Sequence, residues 1–277
     1  MITKLPSLDF HCHGCIAQGR PEEIRASLEE CYPRLGQRLP ERVEVHLFDT
    51  QSQQATFLEC EKEKRGITTW GDEAFICSHD AWLSHPRLLI CIERLFALSP
   101  IARLGTIRHE AAHTVLHGAP IYYVFPIPAD CIKMAQTKGV SSVVLQQVLY
   151  YCAIAVKDFE VTRLLLHQGY RECQVAFAEA QFTPSDEDRL AWLLAKDHPQ
   201  ARLLFFTAQL KSLLLAWPLK VVGIFCLEKS TEAMLDYLEP EQRKELLDIA
   251  TNIASQLGED THDNLRSALR QSLQMLL

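Results

Sequence analysis

The alternation of apolar and polar residues divides the chain into a first part that contains strands and a later part that does not. Residues 42–48 alternate with period two, which predicts a strand, and the segments 74–77 and 87–96 predict two more. Helical periodicity predicts helices at 21–35 and 51–64. A small β-containing portion followed by helices alone predicts an α+β fold.

One helix is defined by signals at both of its ends. Ser99 is a suitable N-cap, and Pro100 suits the first helical position. Gly118 suits the position just past the end, and Pro120 prevents the helix from continuing. These signals predict a helix at residues 100–117.

After residue 120 the chain carries only helical patterns. Pro126 and Pro128 predict a loop, and Gly169 ends the long apolar helix that follows it. Helices are predicted at residues 140–167, 172–181, 184–197, 199–217, 231–238, 241–257 and 262–277. We therefore predict an α+β domain over residues 1–170 and a helical C-terminal extension over residues 171–277.

Composition and charge narrow the class of protein. Of the 277 residues, 48% are hydrophobic and 23% charged, which is typical of a protein with a substantial core. The formal net charge of −7 does not indicate a positively charged surface that would bind nucleic acid, so we expect no nucleic-acid partner. The most apolar segment, 203–227, is interrupted by Lys211, Pro218 and Lys220 and predicts a buried helix rather than a membrane span.

The N-terminal sequence lacks the apolar stretch and the cleavage site of a secretory signal. Most of the ten cysteines lie within apolar runs, as Cys91, Cys152 and Cys226 do. These features predict a cytoplasmic protein with reduced thiols.

The candidate chemistry lies in the middle of the helix predicted at 100–117, in the residues His109-Glu110-Ala111-Ala112-His113. Residues four apart share one helix face, so His109 and His113 can both bind one zinc ion. Glu110 beside them is the candidate general base for a water molecule that attacks a carbonyl carbon. The pattern predicts a zinc-dependent hydrolase.

A catalytic zinc site needs a third protein ligand. His117 lies about 12 Å from His109 along a straight helix, too far to share the ion, and is expected to cap the helix end. On the helix predicted at 140–167, Asp158 lies on an apolar face, where a buried carboxylate needs a partner. Asp158 is the favoured third ligand. Glu160, on a mixed face where an ion pair is expected, is the alternative.

The HEAAH helix, followed some forty residues later by an acidic helix, resembles the gluzincin metallopeptidases. The resemblance covers residues 87–170 and implies a zincin-like core, with a small sheet packed on the active helix. The third ligand of that family is usually a Glu in an E-x-x-x-D arrangement. When this sequence is aligned with that pattern, Asp158 takes the ligand position and Thr162 takes the position of the second acid. This chain therefore departs from the pattern at both positions, with Asp in place of Glu and Thr in place of Asp.

These features together predict a zinc metallopeptidase that acts on a peptide or protein substrate. The segment 87–96 is the candidate sheet edge for an extended substrate. Candidates for stabilising the oxyanion are Tyr150, Tyr151, Tyr170 and His167, each of which packing also explains. The alternatives are a helical interaction protein that keeps a zincin-like scaffold, and a zinc hydrolase of non-peptide amides.

A second group of soft ligands lies near the N-terminus, at His11, Cys12, His13 and Cys15. The gap between Cys12 and Cys15 is that of a zinc knuckle or a redox pair. No second cysteine pair follows at finger spacing. A single pair is a weak signal, so we favour an ordinary N-terminal segment over a structural metal site.

Overall fold

The structure is a computed structural model that describes residues 4–36, 38–66 and 75–275, of which Arg65 and Met275 are described in the backbone alone. The strands are β1 (Ser7–His13), β2 (Arg42–Phe48), β3 (Cys77–Asp80) and β4 (Arg87–Cys91). The helices are α1 (Arg20–Cys31), α2 (Gln51–Arg65), α3 (Ile92–Ala97), α4 (Pro100–Leu116), α5 (Ala129–Thr137), α6 (Ser142–His167), α7 (Arg171–Gln181), α8 (Asp186–Ala195), α9 (Pro199–Val221), α10 (Leu227–Met234), α11 (Pro240–Ala254) and α12 (Thr261–Met275). Short 3-10 helices lie at Tyr32–Arg34 and Pro120–Tyr122. The predicted α+β class is confirmed.

The described strands form one mixed sheet in the order β1-β2-β4-β3. β1 and β2 are parallel, and so are β2 and β4. β3 runs antiparallel to β4, so that Cys77 pairs with Ile90 and Asp80 with Arg87. β3 is thus an outer strand of the described sheet, and β4 is an inner one.

Some local predictions were wrong or incomplete, and the helix predicted at 231–238 lies at Leu227–Met234. The strand predicted at 87–96 ends at Cys91, and α3 follows, because its buried Ile92 and Leu95 have helical spacing. The strand predicted at 74–77 begins at Cys77, and Ala74 lies outside the described residues. β1 and α5 occupy segments for which no strand or helix was predicted.

The first compact unit comprises Met1–Val124 and Leu164–Phe177, and it contains the sheet and α4. α4 packs against α1, α3, β3 and β4. At Gly105 the backbone of α7 comes so close that an added Cβ would lie 2.1 Å from the carbonyl oxygen of Cys173. Gln174 on α7 donates its side-chain amide to the Gly105 carbonyl at 3.0 Å. These contacts fix α4 within the unit.

The second compact unit comprises Phe125–Arg163 and Ala178–Leu277 and consists of helices in its described part. α9 is buried along most of its length, and Leu213, Leu214 and Leu219 are almost fully inaccessible. The buried helix predicted within residues 203–227 is confirmed only in part, because α9 ends at Val221, and Val221, Val222 and Ile224 are exposed. Within the described residues, no helix is both long and apolar enough to cross a membrane. The division of the chain into residues 1–170 and 171–277 stays a prediction.

Candidate metal centre

The HEAAH residues lie in the middle of α4, as the sequence predicted. Ser99 accepts a hydrogen bond from the Ala102 N–H at the start of the helix, and this cap fixes where α4 begins. His109, Glu110 and His113 are 2%, 8% and 1% exposed. Three polar side chains with so little access to water need specific partners.

The two histidines face each other through their Nε2 atoms, which lie 3.1 Å apart. Two ligands of one tetrahedral zinc ion are separated by about 3.3 Å, given Zn–N distances of 2.0–2.1 Å. The ring planes of His109 and His113 are inclined at 71°, so they intersect and one ion can lie in both. The pair therefore has the spacing and the inclination that a shared metal ion requires.

The other ring nitrogen of His113 is held by His117. The Nδ1 atoms of these residues lie 3.1 Å apart, and His117 is fully buried. A histidine that binds metal usually donates its second ring N–H to such a partner, which fixes the tautomer and the ring orientation. His117 is also the C-cap residue of α4, as predicted, and its backbone N–H donates to the His113 carbonyl.

Glu110 contacts a histidine that the sequence analysis did not select. His79, on β3, places its Nδ1 atom 2.8 Å from Oε2 of Glu110. The contact is shielded from water, because only about a tenth of each side chain is exposed. A protonated Nδ1 donates to the carboxylate and holds it in one orientation.

His79, Glu110 and His113 each offer a ligand atom within 4.8 Å of the others. However, the His79 and His113 rings are stacked, with centroids 3.7 Å apart and planes inclined at only 13°. A histidine binds a metal in the plane of its ring, and two stacked planes do not meet at one ion. The geometry therefore favours His79 as the residue that orients Glu110, not as a ligand beside His113.

Tyr123 completes the polar surroundings of Glu110. Its ring meets that of His79 edge-on, with the centroids 6.2 Å apart. Burial raises the pKa of Tyr123, and the charges of Asp80 and Glu110 raise it further. The phenol therefore stays protonated and is a hydrogen-bond donor.

Asp158 and Glu160, the two candidates for the third ligand, are both buried on α6, and each is 6% exposed. The expectation that Glu160 lies on a wetter face was wrong. Its Oε2 accepts from the Thr261 hydroxyl at 2.8 Å, and its Oε1 accepts from the Asn264 amide at 2.6 Å. Both oxygens of Glu160 thus bind the start of α12. The choice of Asp158 as the metal ligand stays a prediction.

The sheet edge predicted for the substrate was also wrong. Residues 87–91 form β4, which lies between β2 and β3, so its backbone is already paired on both sides. In the described sheet the outer strand beside α4 is β3, the strand that carries His79.

Of the tyrosines proposed for oxyanion stabilisation, Tyr170 is used in packing. Its hydroxyl donates to Glu30 at 3.2 Å, and its ring is contacted by the guanidinium groups of Arg34 and Arg108. The rings of Tyr150 and Tyr151 contact each other on α6, 5.7 Å apart. Tyr123, in contrast, contacts His79, the residue that holds Glu110.

Near the N-terminus, Cys12 and Cys15 are both exposed. No group of potential metal ligands among the described residues includes either thiol. Their neighbours His11 and His13 instead lie beside His46 of β2.

No family model, no curated protein and no solved structure matches this chain.

Proposed function

We propose that this protein is a zinc-dependent hydrolase and that its substrates are peptides or proteins. One observation carries the proposal: two buried histidines of α4 face each other at 3.1 Å with intersecting ring planes. They lie on the same helix as the buried carboxylate of Glu110. A structural zinc site needs only ligands, whereas a hydrolytic site also needs a base.

In this proposal His109 and His113 hold the ion, and Asp158 is the third ligand. A bound zinc ion polarises the scissile carbonyl and lowers the pKa of a water molecule. Glu110 accepts the proton of the attacking water on a carboxylate oxygen and then returns it to the leaving amine. His117 holds the His113 ring, because the Nδ1 atoms of the two lie within hydrogen-bond distance.

Two further side chains support the reaction. His79 keeps the Glu110 carboxylate in one orientation through its 2.8 Å contact, so the base does not have to be ordered during the reaction. Tyr123, whose ring meets that of His79 edge-on, is the candidate hydrogen-bond donor to the carbonyl oxygen on which negative charge develops.

The strand beside the helix supports a peptide as the substrate. β3 is an outer strand of the described sheet and packs against α4. An extended peptide can add to such an edge through backbone hydrogen bonds, which places its carbonyl groups along the strand. A non-peptide amide would use the same base and ligands without this pairing.

A helical interaction protein is the second candidate, and an exposed surface on α8 favours it. Leu190, Leu193 and Leu194 are spaced at three and four residues and are all exposed. Such a spacing presents one apolar helix face. An interaction protein, however, would have no use for a carboxylate held by His79 beside a pair of facing histidines.

The experiment that separates the two functions replaces Glu110. Zinc-loaded wild type should cleave unfolded casein or members of a peptide library. Glu110→Gln should lower the rate roughly 10²–10⁴-fold, because the base is lost while its size is kept. Zinc content and melting temperature should stay the same. Glu172→Gln, a change at an exposed position, is the matched control and should keep full activity.

Two results would contradict this function. One is a Glu110→Gln protein that hydrolyses the substrate at the wild-type rate. The other is a zinc-loaded wild type that cleaves neither casein nor any library peptide, which would leave the interaction protein as the better account.

A further inference from the structure

We propose that the protein has a second site for a divalent transition-metal ion, formed by His11, Glu44 and His46 on one face of the sheet. Each of these residues offers a ligand atom, and the three atoms lie within 4.8 Å of one another. All three residues belong to the first compact unit. The site is separate from the HEAAH residues and does not depend on the proposed function.

The pairing of β1 with β2 brings the ligands together. In this parallel register His11 lies beside His46, and Asp9 lies beside Glu44. Side chains alternate between the two faces of a strand, so these four share one face. Cys12 pairs with Leu47 and projects to the other face. The site therefore uses His11 of the N-terminal group and excludes the adjacent thiol of Cys12.

Two of the ligand atoms already have the separation of ligands on one ion. Nε2 of His46 lies 3.5 Å from Oε2 of Glu44. The expected separation is about 3.3 Å for two ligands of a tetrahedral zinc ion. His46 is buried, and its Nδ1 atom is held by Nε2 of His13 at 3.1 Å. This contact fixes the ring so that Nε2 is directed at the carboxylate.

The other oxygen of Glu44 has its own partners. Arg42 donates to Oε1 at 2.9 Å, and Nε2 of His85 lies 3.1 Å from the same atom. Arg42 also pairs with Asp9, which offsets its positive charge next to the site. Carboxylates that bind metal are commonly oriented by such outer contacts. Oε2 is the oxygen that remains for an ion.

His11 is the third ligand of the proposed site, and its side chain is exposed to solvent. Its ring is 4.7 Å from that of His46 and nearly parallel to it, at 20°. Both rings can bind one ion only after the His11 ring turns. Unlike His79, which is tied to Glu110, His11 is exposed and makes no hydrogen bond to the other described residues. Rotation of an exposed side chain costs little, so the site is completed when the ion binds.

The donor set indicates which ions the site takes. Two imidazoles and one carboxylate suit zinc, copper or nickel, whereas magnesium and calcium prefer oxygen ligands alone. The side chain of His11 is exposed, so we expect the ion to exchange with the surrounding solution. Zinc is a suitable probe because it also tests the HEAAH residues.

The test is a titration of the chelator-stripped protein with zinc, in which binding is measured by calorimetry. Wild type should bind two equivalents. His11→Asn, at an exposed position, should weaken one of them about 10-fold or more, within the range that changes around metal sites produce. His46→Phe should abolish the same equivalent, and Phe keeps the ring packing. His113→Ala should remove only the other one, and His198→Asn, an exposed control, should leave both.

The possible outcomes separate the two sites. If wild type binds a single equivalent that His113→Ala abolishes and His46→Phe leaves intact, the second site is overturned while the hydrolase proposal stands. If the single equivalent survives in His113→Ala and is lost in His46→Phe, the second site stands and the zinc hydrolase proposal fails. Two equivalents that both survive in His11→Asn and His46→Phe also overturn the second site.

Discussion

Nδ1 of His79 lies 2.8 Å from Oε2 of Glu110, and this contact joins an outer strand of the sheet to the middle of the HEAAH helix. The rings of His79 and His113 are also stacked at 3.7 Å, so His79 contacts both the candidate base and a candidate ligand. A single side chain of β3 thus sets the relative positions of two functional groups on α4.

The first prediction concerns His79. His79→Phe keeps the ring that stacks on His113 but removes the hydrogen bond to Glu110. We expect kcat to fall roughly 10–100-fold, as for other residues that orient metal-site groups, with zinc content unchanged. His79→Gln, which restores an N–H donor, should recover part of the activity. The measurement is steady-state hydrolysis combined with elemental analysis. Loss of zinc from His79→Phe would show that His79 is itself a ligand, contrary to the stacking argument.

The second prediction concerns the acids of α6. Asp158→Asn should lower zinc affinity by a large factor, because a neutral amide is a poor zinc ligand. Glu160→Gln should bind zinc normally, because the oxygens of Glu160 serve Thr261 and Asn264. Competition with a chromophoric chelator measures both affinities. A large loss of affinity in Glu160→Gln with none in Asp158→Asn would reverse the assignment.

The third prediction concerns the stability of the sheet beside the site. Arg87 is 1% exposed and makes two 2.8 Å hydrogen bonds to Asp80 across the β3–β4 pair. Arg87→Met would leave the buried Asp80 carboxylate without its main partner, at a cost of roughly 3–5 kcal/mol in the free energy of unfolding. The exposed pair of Arg266 and Asp263 is the control, and Arg266→Met should cost at most about 1 kcal/mol.

Urea unfolding of the two variants and of wild type tests this prediction. If Arg87→Met and Arg266→Met have equal unfolding midpoints, the buried pair does not stabilise the sheet as described. Because Asp80 follows His79 on β3, we also expect Arg87→Met to weaken hydrolysis. This loss should be smaller than that of Glu110→Gln.

Local signals were enough to predict α4 and the facing of its two histidines. The N-cap Ser99, Pro100 at the first position and Gly118 past the end act within a few residues of the helix. The four-residue spacing of His109 and His113 is equally local, and the structure places their Nε2 atoms together. β2 was also predictable, because polar and apolar residues alternate along most of its seven positions.

The residues around the motif could not be predicted, because long-range pairing places them there. β3 has the sequence Cys-Ser-His-Asp, which carries little apolar periodicity, so nothing local singled out His79. Glu160 was assigned to a wet face from its neighbours on α6, but Thr261 and Asn264, about a hundred residues later, cover it. The apolar run 87–96 does not distinguish strand from helix by periodicity, and it contains both.

The zinc content of the purified protein shows whether His109 and His113 hold a metal ion. Wild type, His113→Ala and the exposed control His198→Ala are purified without added metal and analysed for zinc per chain. We expect His113→Ala to contain about one zinc fewer per chain than the other two, because two imidazoles on one helix face supply half of a tetrahedral site. Equal zinc in all three proteins would contradict it.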